Sequence, residues 1–223
     1  MTDQSTAFDG RTTKLAIFGA GGHGRELANL ALRCGYRTDQ LMFLVDEGHG
    51  QGQCVAGIPV ATIASIAPEG MSFIAALGDP SARRTAVAKC LAAGMREATL
   101  ADPSVALAST VMIGAGSIIA AGSVLTVDIE LGAHVHINVG CTVSHDVRIG
   151  SFGTLSPGVH IAGRVCIGEG VFVGVGASIL PGTSTRPLVI GDGAVIGAGA
   201  CVTSDVGASA TVAGVPARVL RPA

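Results

Sequence analysis

Two short stretches of this chain hold residue types in an order that can do chemistry. In TVSHDVRIG, residues 142–150, His145 is followed directly by Asp146. A neutral imidazole accepts a proton near neutral pH. A carboxylate bonded to its other ring nitrogen fixes the tautomer and stabilises the imidazolium that forms. The pair has the parts of a general base and its orienter; a solvated histidine beside a solvated aspartate is the bland reading of the same residues. In AIFGAGGHGRE, residues 16–26, Gly19, Gly21 and Gly24 stand in G-x-G-x-x-G order. Gly19, Gly21, Gly22 and Gly24 let the backbone approach a phosphate, and a following helix offers its N–H groups. His23 lies inside that turn. The motif raises the question of a bound dinucleotide such as NAD.

The elements around the glycines alternate. Residues 14–20, 41–47 and 73–79 read as buried strands, and residues 24–35 and 80–94 as amphipathic helices that stop at Gly35 and Gly94. Strands alternating with helices predict a small, parallel, Rossmann-like α/β sheet. Asp46 falls at the end of its second strand, where an acidic residue can bind a ribose hydroxyl or the base. Gly78 and Asp79 end the third strand and border the same crevice. About a hundred residues are too few for a full dinucleotide-binding domain, which needs two mononucleotide halves.

From residue 107 the pattern becomes a period of six. Thirteen aliphatic residues follow in phase from Leu107 to Ile179, and the phase breaks at residues 185–189 before resuming at Ile190, Ile196 and Val202. Four places after most of them stands a small or β-branched residue, among them Ser117, Ser123, Cys141 and Ala177. Glycine often stands just before it, which suits a tight corner. This hexapeptide grammar resembles the left-handed parallel β-helix, in which three hexads make one triangular coil with the aliphatics stacked inside. The chain therefore divides into an α/β domain at 1–102 and a β-helix at 103–223. The break at 185–189 is either a loop beside a cleft or a register correction. His145 and Asp146 take the third and fourth places of their hexad and should point outward near a corner. His134 and His136 are expected at the surface or at a subunit interface.

The composition excludes several classes. The chain has 223 residues, 48% hydrophobic and 13% charged, with 33 Gly, one Tyr and no Trp. A narrow prism interior explains the missing aromatics. With a net charge of −2 and only Lys14 and Lys89 as lysines, no basic stripe is available for nucleic acid. No apolar run is long enough to span a membrane. Residues 1–12 read as a loose polar leader without a signal-peptide core. The six scattered cysteines read as reduced fillers of core space, and the expected compartment is the cytoplasm.

Taken together, IFGAGGHGRE, FLVDE, the central stretch INVGCTVSHDVRIGSFGTLSPGVHIAGRVCIGEG, IGDGAVIGAGACV and GVPARVL give the chain a family resemblance. It resembles the bacterial sugar acetyltransferases that join a small nucleotide-binding α/β domain to a left-handed β-helix. These include N-acetyltransferases of nucleotide-linked 4-amino-4,6-dideoxy sugars and sialic acid O-acetyltransferases. The resemblance implies acetyl-CoA as co-substrate, a homotrimer with clefts at subunit boundaries, a nucleotide-sugar acceptor and no metal. It gives His145 the place of the catalytic base and Asp146 that of its acidic partner. Asn138 would line the cleft, and Gly163 would offer its N–H to the thioester oxyanion. Val175 and Leu180 would lie beside the pantetheine arm, and Arg218 and Arg221 near the phosphates of coenzyme A. Many relatives carry a second histidine nine residues after the base; Thr154 stands there and is assigned to the acetyl-CoA site. The glycine loop would then hold the nucleotide handle of a sugar and not a redox cofactor. O-transfer to sialic acid stays open, because a hydroxyl acceptor needs the same base. A zinc enzyme like the γ-class carbonic anhydrases is a remote alternative, since the HVH at 134–136 lacks that family's histidine spacing.

Overall fold

The computed structural model describes residues 14–50 and 52–221; the expected leader, residues 1–12, lies outside them. The first strand, β1 (Leu15–Phe18), is apolar throughout and fully buried. It runs into α1 (Gly22–Arg33), which starts two residues before the expected helix. Then follow β2 (Leu41–Leu44), β3 (Cys54–Val55), β4 (Ile58–Ala61), β5 (Ser72–Ala75), α2 (Pro80–Ala92) and β6 (Arg96–Glu97). Asp79 caps α2 by accepting from the Ala82 N–H at 2.7 Å, and Pro80 opens the helix where no N–H is needed.

The sheet order is β3-β4-β2-β1-β5-β6. All pairings are parallel except β3 with β4, so the sheet is mixed and not wholly parallel as expected. The cause is local: Ala56 and Gly57 both have positive φ (50° and 79°), the geometry of a tight two-residue hairpin turn.

The second half forms the expected left-handed parallel β-helix of three sheets. The first face starts at Leu100–Ala101 and continues through Ile118–Ile119, His136–Ile137 and Thr154–Leu155. The second starts at Ala106–Leu107 and holds Thr142–Val143 and His160–Ile161. The third starts at Met112–Ile113 and holds Val147–Ile149 and Val165–Ile167. Partners such as His136 and Thr154 lie eighteen residues apart, one coil of three hexads. The aliphatics from Ile119 to Ile179 stack inside with the small residues between them. Ser117 is buried there without penalty: its hydroxyl donates to the Gly132 carbonyl and accepts from the Val135 N–H. Leu107 departs from the ladder and is 43% exposed, because its strand is the edge of the second face and no earlier coil covers it.

The phase break resolves as a loop. Val165 pairs with Leu188, twenty-three residues on, so five extra residues bulge at the corner between the second and third faces. All six cysteines are free thiols. Among the described residues, no helix is long and apolar enough to cross a membrane.

The α/β domain sits on the first face. Ile118 of the β-helix completes the core on the α1 side of the sheet, and Phe152 completes the core on the α2 side. The half-sized domain thus borrows the wall of the β-helix for its own packing.

Candidate active site

The corner between the second and third faces is a column of non-glycine residues with positive φ: Asp128 (54°), Asp146 (58°) and Arg164 (58°). Asp tolerates this left-handed conformation better than most residues. At Asp146 the turn brings the carboxylate back to its neighbour, and Asp146 Oδ2 accepts from His145 Nδ1 at 2.8 Å. The carboxylate only accepts, so Nδ1 carries the hydrogen and Nε2 keeps its lone pair. Both side chains are about half exposed, as expected for outward-pointing corner groups. Arg164 Nε lies 3.9 Å from Asp146 Oδ2 and holds positive charge on the far side of the carboxylate.

Gly163 packs directly against the imidazole. A Cβ there would come within 2.5 Å of His145 Cε1 and 2.6 Å of Nε2. Its carbonyl accepts from the Gly182 N–H at 3.1 Å, while its own N–H bonds no other described residue. A free backbone donor therefore lies beside the nitrogen that can take a proton. Leu180, 42% exposed, stands one coil further on, just before the five-residue bulge. Residues 183–187 of that bulge wall a groove of about 560 Å³ on the third face, with Asp146, Arg148 and Arg164 on its floor.

At the other site the glycine loop joins the C-terminal end of β1 to α1. The Gly19 N–H donates to the Leu44 carbonyl at 2.8 Å. Gly24 has no alternative: a Cβ would stand 2.0 Å from the Gly19 carbonyl oxygen. Gly21 and Gly22 are exposed and meet nothing within 4 Å, so their backbone is open to a ligand. Asp46 is paired with Lys89 Nζ at 2.5 Å. The Gly78 carbonyl accepts from Arg83 Nη1 and the Thr154 hydroxyl, so its oxygen serves the domain contact.

Several expected site residues lie elsewhere. Thr154 is buried on the first face; its hydroxyl donates to Gly78 and accepts from Arg83 Nη2 at 3.0 Å. It is not available to acetyl-CoA, because the α/β domain covers the face it points from. His134 and His136 are at neither the surface nor an open edge; both are buried beneath the α/β domain. His134 stacks between Phe73 and Phe152 and donates to Glu97 Oε1 at 2.7 Å. His136 Nδ1 meets His23 Nε2 at 3.3 Å, and His23 Nδ1 donates to Glu26 at 3.0 Å. Burial holds the His134 imidazole below its usual range against the pull of Glu97. Burial, with Arg83, His23 and His134 nearby, pushes His136 well below it. Asn138 faces the corner between the first and second faces; it donates to the Leu155 carbonyl and lines a groove with His23 and Pro157. Val175, 55% exposed, follows the same corner two coils on. Arg218 opens the last strand and donates to the Ala217 carbonyl; Arg221 closes that strand. Among the described residues, no cluster of three or more His, Cys, Asp or Glu is placed to hold a metal ion.

The sequence reading missed Arg83, the largest fully buried side chain. Its guanidinium donates to the carbonyls of Leu77, Gly78, His134, Phe152 and Gly153 and to the Thr154 hydroxyl, which bolts α2 to the β-helix. Burial without a directly bonded carboxylate lowers its pKa to about 10. A signal was present: Arg83, Ala86, Val87 and Cys90 occupy one buried helical stripe, so the arginine had to point inward. On the α1 side, Arg33 grips the buried Asp102 carboxylate with two nitrogens, Nη2 to Oδ1 at 2.8 Å, and this pair holds the carboxyl below its usual range.

Comparison with known proteins is consistent with this arrangement. Residues 14–90 match the PglD N-terminal domain family. The chain is 33% identical over 211 residues to the GDP-perosamine N-acetyltransferase of Escherichia coli O157:H7, covering 92% of this chain and 95% of that one. The acetyltransferase domain of PglB from Neisseria gonorrhoeae, solved with acetyl coenzyme A, superposes with a TM-score of 0.82 at 33% identity, over 94% of this chain and 100% of that one. The perosamine N-acetyltransferase of Caulobacter crescentus, solved with CoA and GDP-perosamine, gives 0.82 at 29% identity, over 92% and 96%. With an α/β half, a β-helix and a His–Asp corner in place, the chain belongs to the PglD-like family of acetyl-CoA-dependent nucleotide-sugar N-acetyltransferases.

Proposed function

We propose that this enzyme transfers the acetyl group of acetyl-CoA to the 4-amino group of a nucleotide-linked 4-amino-4,6-dideoxy sugar by direct attack. The nucleotide docks at Gly19–Gly24 and the ends of the strands, and the amine approaches the thioester at His145. His145 Nε2 takes the amine proton as the tetrahedral intermediate forms or collapses. Asp146 holds the ring in the tautomer that leaves Nε2 free and stabilises the charged imidazole. The Gly163 N–H receives the developing oxyanion. The thiolate of coenzyme A leaves, and no acyl-enzyme is required.

The observation that carries this reading is the His145–Asp146 pair, an oriented base at an exposed corner, with Gly163 packed against its imidazole and the Gly163 N–H unpaired among the described residues. Within one chain, the groove lined by Asn138 and His23 opens at a different corner from His145. A homotrimer that sets one chain's His145 against a neighbour's α/β domain supplies the missing contact, with Val175 and Leu180 beside the pantetheine.

The test is thiol release from acetyl-CoA with UDP- and GDP-linked 4-amino-4,6-dideoxy sugars, free sialic acid and a no-acceptor control. Fast release with one amino sugar, lost in His145→Ala, supports the proposal. Release only with sialic acid moves the enzyme to O-transfer. Sedimentation of the active protein as a monomer would overturn the shared cleft.

A further inference from the structure

At the C-terminal ends of β1 and β2, beside the glycine loop, lies a pocket of about 440 Å³. Phe18, Val45, Thr62 and Ile63 give it mostly apolar walls, and the Asp46–Lys89 pair stands at its edge. The pair bridges two elements, the end of β2 and the last turns of α2, and both side chains are about half exposed. Phe18 lies beneath the lysine, whose Nζ is 5.8 Å from the ring centre.

In a dinucleotide fold the acid after the second strand takes the ribose diol, because a lone carboxylate accepts from two hydroxyls. Here the carboxylate has an ammonium alongside. The combination offers one donor and two acceptor oxygens side by side. A hydroxyl donates and accepts alike and so satisfies either group without reading their order, whereas a nucleobase edge presents donors and acceptors in a fixed order that the pair can discriminate. Guanine presents an acceptor, O6, next to two donors, N1–H and the N2 amino group. Adenine and cytosine present the reverse order at these places, a donor toward the lysine and an acceptor toward the carboxylate. Uracil matches the first two groups but has no second donor. The flat apolar walls suit the faces of a ring.

We propose that Lys89 and Asp46 make this site selective for a guanine nucleotide, with Lys89 donating to O6 and the Asp46 carboxylate accepting from N1–H and the N2 amino group. This rests on the reading of the α/β domain as the nucleotide handle and names the base it takes.

The experiment is calorimetric titration of the whole protein with GDP, IDP, UDP and ADP at one salt concentration, for the wild type and for Lys89→Ala and Asp46→Asn. GDP should bind about 10- to 100-fold more tightly than ADP, the discrimination expected of a bidentate base contact. IDP, which lacks the N2 amino group, should fall several-fold below GDP, and UDP should bind more weakly than GDP. Each variant should bring the GDP-to-ADP ratio to within about threefold, with unchanged thermal midpoints confirming folded protein. ADP binding as tightly as GDP, UDP binding more tightly than GDP, or an ordering that survives both substitutions would overturn the assignment. Absence of binding by all four nucleotides would overturn the handle itself. Intact ordering without acetyl transfer to a GDP-linked amino sugar would remove only the transfer reading.

Discussion

Histidines occupy two neighbouring regions of this β-helix with opposite fates. His145 stands half exposed at a corner, and among the described residues its one side-chain partner is the Asp146 carboxylate, which leaves Nε2 free. His134 and His136 stand on a face covered by the α/β domain, and one ring nitrogen of each is engaged, by Glu97 and by His23 respectively. The three residues lie within twelve positions of one another and share one fold. What separates them is which wall of the prism the other domain occupies. A histidine left at an open corner keeps a lone pair for chemistry, and one placed under a domain becomes part of the joint.

The sharpest break of that comparison is substitution of each kind. His145→Ala should lower turnover by about 10²–10⁴-fold and leave the unfolding midpoint within experimental error, since the side chain is half exposed; turnover within tenfold of wild type would remove it as the base. Arg83→Ala acts on the other region. It should destabilise the protein by about 3–5 kcal/mol, because several buried carbonyls lose their donor at once. Denaturant midpoints measure this, and a change under about 1 kcal/mol would show that water replaces the guanidinium.

Gly163→Ala tests the packing of the base. The new Cβ would enter the space of the imidazole, so His145 must swing off its position. We expect a loss of about 10- to 100-fold in kcat/KM with little change in stability, and an unaffected kcat/KM would show that the ring is free to move.

Acid sharpens the contrast with the smallest effect. Burial keeps His134 and His136 less basic when folded than when unfolded. The unfolded chain therefore binds more protons below about pH 6.5, and stability falls as the pH drops through that value toward the depressed folded pKa values. Stability should therefore fall between about pH 7.5 and 5.5, and His136→Asn should make that fall smaller. Asp102 contributes in a separate window: its pKa is lowered on folding, so its stabilisation is complete above the usual carboxylate range and is lost only at more acid pH. Denaturation curves at several pH values separate the two.

Much of this molecule was legible in the chain because its signals are local. The six-residue period fixes which side chains enter the prism, so the ladder from Ile119 to Ile179 could be read directly. The adjacency of His145 and Asp146 is itself local, since a corner with positive φ turns one onto the other. Gly24 could be read in the same way, as a glycine required by a tight strand-to-helix turn. The antiparallel β3–β4 pair was missed because an Ala-Gly hairpin between short strands leaves little hydrophobic pattern.

The placement of Thr154, His134, His136 and Arg83 depended on contacts between residues as much as 113 positions apart. A hexad states whether a side chain points in or out of the prism; it is silent on what lies outside. The amino-acid sequence determined the prism, the glycine loop and the oriented base. The tertiary structure decided which of the three faces is covered, and hence which polar groups hold the domains together and which remain free to react. The physical reason is that burial of an outward-facing group comes from packing between distant segments, and no periodicity along one segment encodes the shape of its neighbour.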